Sequence, residues 1–196
     1  LPKEYDSNQT YPFLMALHGM GESHLTALTA WKPIADEMKM ILICPEGESF
    51  ESGYLRSPID DRFNFVKFKY YLVSNFNIDL TRSVIAGFSR GGNFAIETGL
   101  KYPEHFQNVI CLFGFFNRNI NQQIINKYHK DYGQSAFYIL TGEGALSYES
   151  SLYGRRKLGE LGIKSRLIIL KDITHQYPLD LKDRFKKIDQ WFNQNN

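Results

Sequence analysis

Two cysteines in 196 residues are too few for a disulfide framework or a four-thiolate zinc site. Cys44 and Cys111 each lie in an apolar run, where a reduced thiol serves as a small hydrophobe. Charge of one sign is also scarce: 23 Lys and Arg against 21 Asp and Glu leave a formal +2, which excludes the strongly basic face of a nucleic-acid binder. The clusters Arg155-Arg156-Lys157 and Lys186-Lys187 have acidic neighbours on helix-like segments and read as solvated faces. No apolar run is long enough to span a bilayer. No Gly-Lys-Ser or Gly-Lys-Thr follows a glycine cluster, which excludes a phosphate-binding loop of that type. Repeats, low-complexity tracts and Pro- or Ser-rich linkers are missing too, so residues 1–196 are expected to form one domain around one core. The first residue is Leu1 rather than Met, from which a removed start or leader segment is expected. Localisation and oligomeric state stay open.

What the chain does have is alternation. Phe13–Leu17, Met40–Cys44, Ser83–Ala86, Val109–Phe113, Phe137–Leu140 and Leu167–Leu170 are short apolar runs that predict strands buried on both faces. Between them lie helical patterns. Pro33 suits the first turn of a helix through Met38; Val66, Val73 and Phe76 give one stripe, and Ala95, Ile96, Gly99 and Leu100 another. Leu181, Phe185, Ile188 and Phe192, with Trp191 beside them, predict a final amphipathic helix. The alternation predicts an α/β fold with helices on both faces of a mostly parallel sheet of about six or seven strands. In such folds sites gather at the carboxyl ends of the strands.

At one such end, Gly87-Phe88-Ser89-Arg90-Gly91-Gly92 follows Val84-Ile85-Ala86 and opens a helix. This is the setting of a nucleophile elbow, in which a sharp strand-to-helix turn exposes a serine hydroxyl. A serine needs a base, usually a histidine oriented by a carboxylate, and the expected chain order is Ser, acid, His. Of the histidines well beyond Ser89, His129 falls in the polar stretch Asn121–Tyr132 and reads as a surface residue. His175 follows the last predicted strand, where a loop can carry an imidazole to the elbow. The acid belongs after Phe137–Leu140. There Glu143 is the best placed carboxylate, with Glu149 and Asp172 as alternatives. His18-Gly19-Met20-Gly21 follows the first strand, so the main-chain N–H groups of Met20 and Arg90 are the expected oxyanion donors, with His18 fixing the loop. The irregular stretch Pro45–Asp60 leaves the second strand and is expected to border the site, with Tyr54 as a candidate pocket residue; Phe115, Phe116 and Tyr148 are candidate walls.

With Leu17-His18-Gly19-Met20-Gly21, Ile78-Asp79-Leu80, the run through Gly92 and Tyr102-Pro103, nearly the whole chain resembles α/β-hydrolases. Within them it is similar to the phospholipase/carboxylesterase group, including acyl-protein-thioesterase-like and dienelactone-hydrolase-like esterases. The resemblance implies an α/β-hydrolase fold with little or no lid. It also implies hydrolysis of small-molecule esters or thioesters by a Ser-acid-His triad, with no metal and no organic cofactor. The chain departs from that pattern twice: Arg90 stands where relatives carry Gln, and Ala145 stands in the G-x-x-D slot that holds the triad aspartate. The second departure leaves open a replacement acid, a triad without one, or an engineered substitution, and it motivates a second reading as a hydrolase-fold binding protein with weakened catalysis.

Overall fold

The computed structural model describes residues 1–48, 53–57, 60–128 and 130–194. His129, and part of the Pro45–Asp60 stretch, lie outside the described residues. The elements alternate in the order β1 (Tyr11–Leu17), α1 (His24–Glu37), β2 (Ile41–Ile43), α2 (Asp61–Asn75), β3 (Ile78–Phe88) and α3 (Arg90–Lys101). They continue with β4 (Asn108–Leu112), α4 (Arg118–Tyr128), β5 (Ala136–Gly142), α5 (Tyr148–Glu160), β6 (Lys164–Leu170) and α6 (Leu181–Asn193). All strand pairs are parallel, in the spatial order β2-β1-β3-β4-β5-β6. The chain steps outward from β1 to β2 and then returns to the other side of β1. This reversal leaves a crevice beyond the carboxyl ends of β1 and β3, the place where such sheets bind ligands.

The two-residue period of the strands divides the core. Phe13, Met15, Leu17, Ile85, Val109 and Cys111 join side chains of α2, α3, α4 and α5 on one face. Leu14, Ala16, Val84, Ala86, Ile110 and Leu112 join Ala27, Trp31, Phe185, Ile188 and Phe192 of α1 and α6 on the other. Burial pushes the Cys44 and Cys111 thiols up to about 12, which suits apolar packing and not reactivity.

Several boundaries differ from the sequence expectation. Helix α1 starts at His24, where the Ser23 hydroxyl accepts the Leu25 N–H, and Pro33 lies inside it. The turns before Pro33 carry Ala27 and Trp31, whose burial against the sheet outweighs the one hydrogen bond a proline forfeits. Strand β3 starts at Ile78 because Ile78 and Asp79 pair with Tyr11 and Pro12. The register then shifts between Pro12 and Leu14, at a residue with no N–H to donate. Edge strand β6 is not buried on both faces, since Lys164 and Arg166 reach solvent. In α2 the buried stripe is Phe65, Val66, Lys69 and Leu72, whereas Val73 is exposed and Phe76 caps the helix.

Lys69 in that stripe has a measurable consequence. Its ammonium donates to the His105 carbonyl above the Phe106 ring, and burial pulls its pKa from 10.5 down to about 8. Between those values the unfolded chain binds the extra proton, so the fold gains stability as pH rises from about 8 to 10.5; below 8 the desolvation cost is present in full. Lys69→Met is expected to stabilise the fold at pH 7 by ~1–2 kcal/mol, net of the lost hydrogen bond, and by much less at pH 10.5. Urea unfolding at both pH values checks this, and an equal gain at each would contradict it.

Candidate active site

Ser89 joins β3 to α3 with φ 52 and ψ −118, a left-handed setting that a serine adopts only under constraint. The constraint is visible on both sides. The Ser89 N–H donates to the Leu112 carbonyl at 2.8 Å, and the Ser89 carbonyl accepts the Asn93 N–H at 3.2 Å. A Cβ at Gly87 would lie 2.2 Å from the Gly91 carbonyl carbon, and one at Gly91 would lie 2.4 Å from the Leu17 oxygen. Only glycine lets β1, β3 and α3 converge this closely, and the convergence carries the serine to the end of the sheet.

The segment after β6 brings His175 to that point, with Nε2 2.9 Å from the Ser89 Oγ across 86 residues of sequence. The imidazole lies against the Phe88 ring, at 4.9 Å between centroids and 41° between planes. It also meets Phe113 edge-on, at 6.0 Å and 82°. Phe113 has φ 53 and is held by its N–H to the Leu140 carbonyl at 2.8 Å. On Phe88 a third ring, Tyr177, stacks at 4.3 Å and 25°.

No carboxylate among the described residues is hydrogen-bonded or ion-paired to His175. Glu143 donates its main-chain N–H to the Leu170 carbonyl while its side chain faces solvent. Glu149 is exposed in the first turn of α5, and Asp172 is exposed at φ 57. The slot itself is well formed. Ala145 is buried, its N–H closes a turn onto the Gly142 carbonyl at 3.1 Å, and this loop abuts the histidine segment through Gly142 against Ile173 and Gly144 against Thr174.

The loop after β1 is braced at several points. His18 is buried, with Nδ1 2.8 Å from the Gly19 carbonyl and Nε2 2.7 Å from that of Glu46. The Gly19 N–H donates to the Glu22 carboxylate at 2.7 Å, and the Glu22 N–H returns to the Gly19 carbonyl at 3.3 Å. Neither the Met20 nor the Arg90 N–H has a hydrogen-bond partner among the described residues, and Gly91 against Leu17 and His18 places the two loops side by side. The Met20 side chain is exposed. That of Arg90 turns away toward the Tyr54 carbonyl at 3.2 Å and lies over Phe94. Burial, with Arg56 beside it, holds the Arg90 guanidinium below its ordinary value.

Tyr54, expected to line a pocket, is instead fully buried beneath this loop. Its hydroxyl accepts the His18 N–H at 3.0 Å and donates to the Pro45 carbonyl at 3.1 Å, so it supports the loop and offers no surface. Phe115 is 38% exposed just past β4, with its N–H on the Asn93 Oδ1 at 2.6 Å. Phe116 is buried under Gly154, and Tyr148 is half-buried at the start of α5. Sequence reasoning missed Glu22, Glu46 and Tyr177. Only Glu22 carries a local signal, an acid three residues after Gly19 in the spacing of a reciprocal cap. Among the described residues no cluster of three His, Cys, Asp or Glu could hold a metal, and no helix is long and apolar enough to cross a membrane.

Comparison with known proteins adds three findings. The family described as "Putative esterase" matches residues 1–196. Esterase Rv1288 of Mycobacterium tuberculosis is 28% identical over 129 residues, covering 56% of this chain and 26% of that protein. The chain thus spans about a quarter of the length of the curated relatives it matches. Among solved structures, esterase PE8 superposes with a TM-score of 0.77 over 100% of this chain and 97% of its own, at 18% identity. The fluorophosphonate-binding serine hydrolase F of Staphylococcus aureus superposes with a TM-score of 0.72 over 98% of this chain and 89% of its own, at 17% identity. At these identities the superpositions speak to the fold alone.

Proposed function

The chain belongs to the esterase family and has the α/β-hydrolase fold, and from that premise we propose that it is a hydrolase that cleaves small acyl esters or thioesters through an acyl-enzyme on Ser89. The observation that carries this reading is the 2.9 Å contact between His175 Nε2 and the hydroxyl of a serine held at φ 52. His175 takes the Ser89 proton as the oxygen attacks the acyl carbon. The oxyanion that forms is met by the Met20 and Arg90 N–H groups, both without protein partners among the described residues, and by the positive end of α3. His175 then returns the proton to the leaving alcohol or thiol, and a water activated by the same imidazole releases the acid.

The same reading takes residues 1–196 as one hydrolase domain and gives Glu143 no part in the reaction, because its carboxylate faces solvent. The Arg90 guanidinium, tied to the Tyr54 carbonyl, serves the scaffold while the Arg90 main chain serves the site. A missing carboxylate slows turnover without changing the type of reaction, since the nucleophile, the base and the amide donors carry the bond changes. Mixing the protein with excess short-chain nitrophenyl ester is therefore expected to give a nitrophenolate burst of about one equivalent, followed by slower turnover, with the acyl group on the Ser89 peptide by mass spectrometry. Turnover with the acyl group on another residue would sink the proposal.

A further inference from the structure

We propose that Tyr177 is a positioning residue for the reaction: through Phe88 it sets the plane of the His175 ring, the task a triad carboxylate otherwise performs. The inference rests on the reading of Ser89 and His175 given above. A carboxylate in a triad does two things, fixing the imidazole in one orientation and tautomer and stabilising the imidazolium that forms. With no carboxylate on His175 among the described residues, the first task falls to the rings around it. Tyr177 stacks on Phe88 at 4.3 Å and 25°, and His175 lies tilted against the same ring at 4.9 Å and 41°. Phe113 closes the side of the imidazole edge-on.

The connectivity gives the stack its leverage. Phe88 immediately precedes Ser89, so the ring that carries the imidazole is rigidly joined to the nucleophile. His175 and Tyr177 sit two residues apart, with a bend at His175 and Gln176, and both rings contact Phe88. Pro178 follows and is buried, which restricts the backbone on the far side of Tyr177. Tyr177 packs against the apolar cluster that includes Trp31 and Phe88, and its buried hydroxyl, like the Trp31 indole nitrogen, has no hydrogen-bond partner among the described residues. Burial pushes the Tyr177 phenol up, so the ring stays neutral. The hydroxyl contributes little to the contact with Phe88, and the ring face contributes most of it.

The test compares Tyr177→Phe and Tyr177→Leu, each alone and with Ala145→Asp, on a short-chain nitrophenyl ester. Tyr177→Leu is expected to lower kcat about tenfold with KM changed less than about twofold, while Tyr177→Phe stays within about twofold of wild type. In the Ala145→Asp background, where a carboxylate can hold the imidazole, the loss from Tyr177→Leu is expected to shrink to about threefold or less. A merely structural tyrosine would give the same loss in both backgrounds, and that result would overturn the proposal. So would a Tyr177→Leu enzyme with wild-type kcat, or a Tyr177→Phe enzyme as impaired as Tyr177→Leu. Urea unfolding identifies folded variants, and Tyr177→Met, which keeps the volume without the ring, replaces Tyr177→Leu if that variant does not fold. Ser89→Ala in the same assay separates the two claims. If it retains turnover, the serine mechanism fails and this inference fails with it; if it is inactive while Tyr177→Leu matches wild type, the inference fails alone.

Discussion

Replacing Ala145 with aspartate is expected to raise kcat about a hundredfold, making this a protein that gains activity from a single substitution. The structure supports the direction. Ala145 sits in a closed turn after β5, and that turn abuts the segment bearing His175 through Gly142 against Ile173 and Gly144 against Thr174. A carboxylate at position 145 would therefore stand in the turn next to the segment that carries His175, whose imidazole has no acidic partner among the described residues. Loss of an orienting aspartate costs a serine protease about four orders of magnitude in kcat. On the reading proposed above, Phe88 and Phe113, with Tyr177 stacked on Phe88, hold the imidazole, so the gain left to the aspartate is stabilisation of the developing imidazolium and choice of tautomer. The same change is expected to cost the fold ~1–2 kcal/mol, because Ala145 is 7% exposed within an apolar cluster and the new charge is only partly compensated. Steady-state kinetics and urea unfolding on the one variant check both statements. An Ala145→Asp enzyme with unchanged kcat would show that the acid slot no longer faces the histidine.

The parts of this site legible in the sequence are those encoded locally. Ser89 could be read because its turn needs Gly87 and Gly91, residues without a Cβ where β1, β3 and α3 converge, and strand and helix patterns flank them. His175 could be read by elimination, as the histidine just past the last strand. The sheet was legible because parallel strands covered on both faces appear as short apolar runs. Its edges were less so, since a strand such as β6, with Lys164 and Arg166 in solvent, looks only half like one. Pro33 misplaced the start of α1 because local propensity favours a proline in the first turn, whereas the burial of Ala27 and Trp31 is a property of the assembled core. Tyr54 and Tyr177 show a further limit. An aromatic residue in a loop reads as a pocket wall or plain core. Whether its hydroxyl braces His18 or its ring stacks on Phe88 depends on residues 36 and 89 positions away, and no periodicity carries that information.

Replacing Ser89 with alanine is expected to remove at least ~10³-fold of kcat while leaving the fold intact. The expected loss is smaller than the ~10⁶-fold seen when a complete triad loses its serine, because on the proposed reading His175 has no acidic partner among the described residues. The alanine also has to adopt φ 52, yet the bonds to Leu112 and from Asn93 are made by the main chain and persist. Binding of the ester is expected to change little. The most direct measurement is therefore labelling by a fluorophosphonate, a phosphorus electrophile that takes the place of the acyl group and stays on the nucleophile it meets. Wild type is expected to carry one label, on the Ser89 peptide, with label and ester turnover lost together in Ser89→Ala and labelling slowed at least ~10²-fold in His175→Gln. Equal labelling and equal turnover in wild type and Ser89→Ala would contradict the account at its centre.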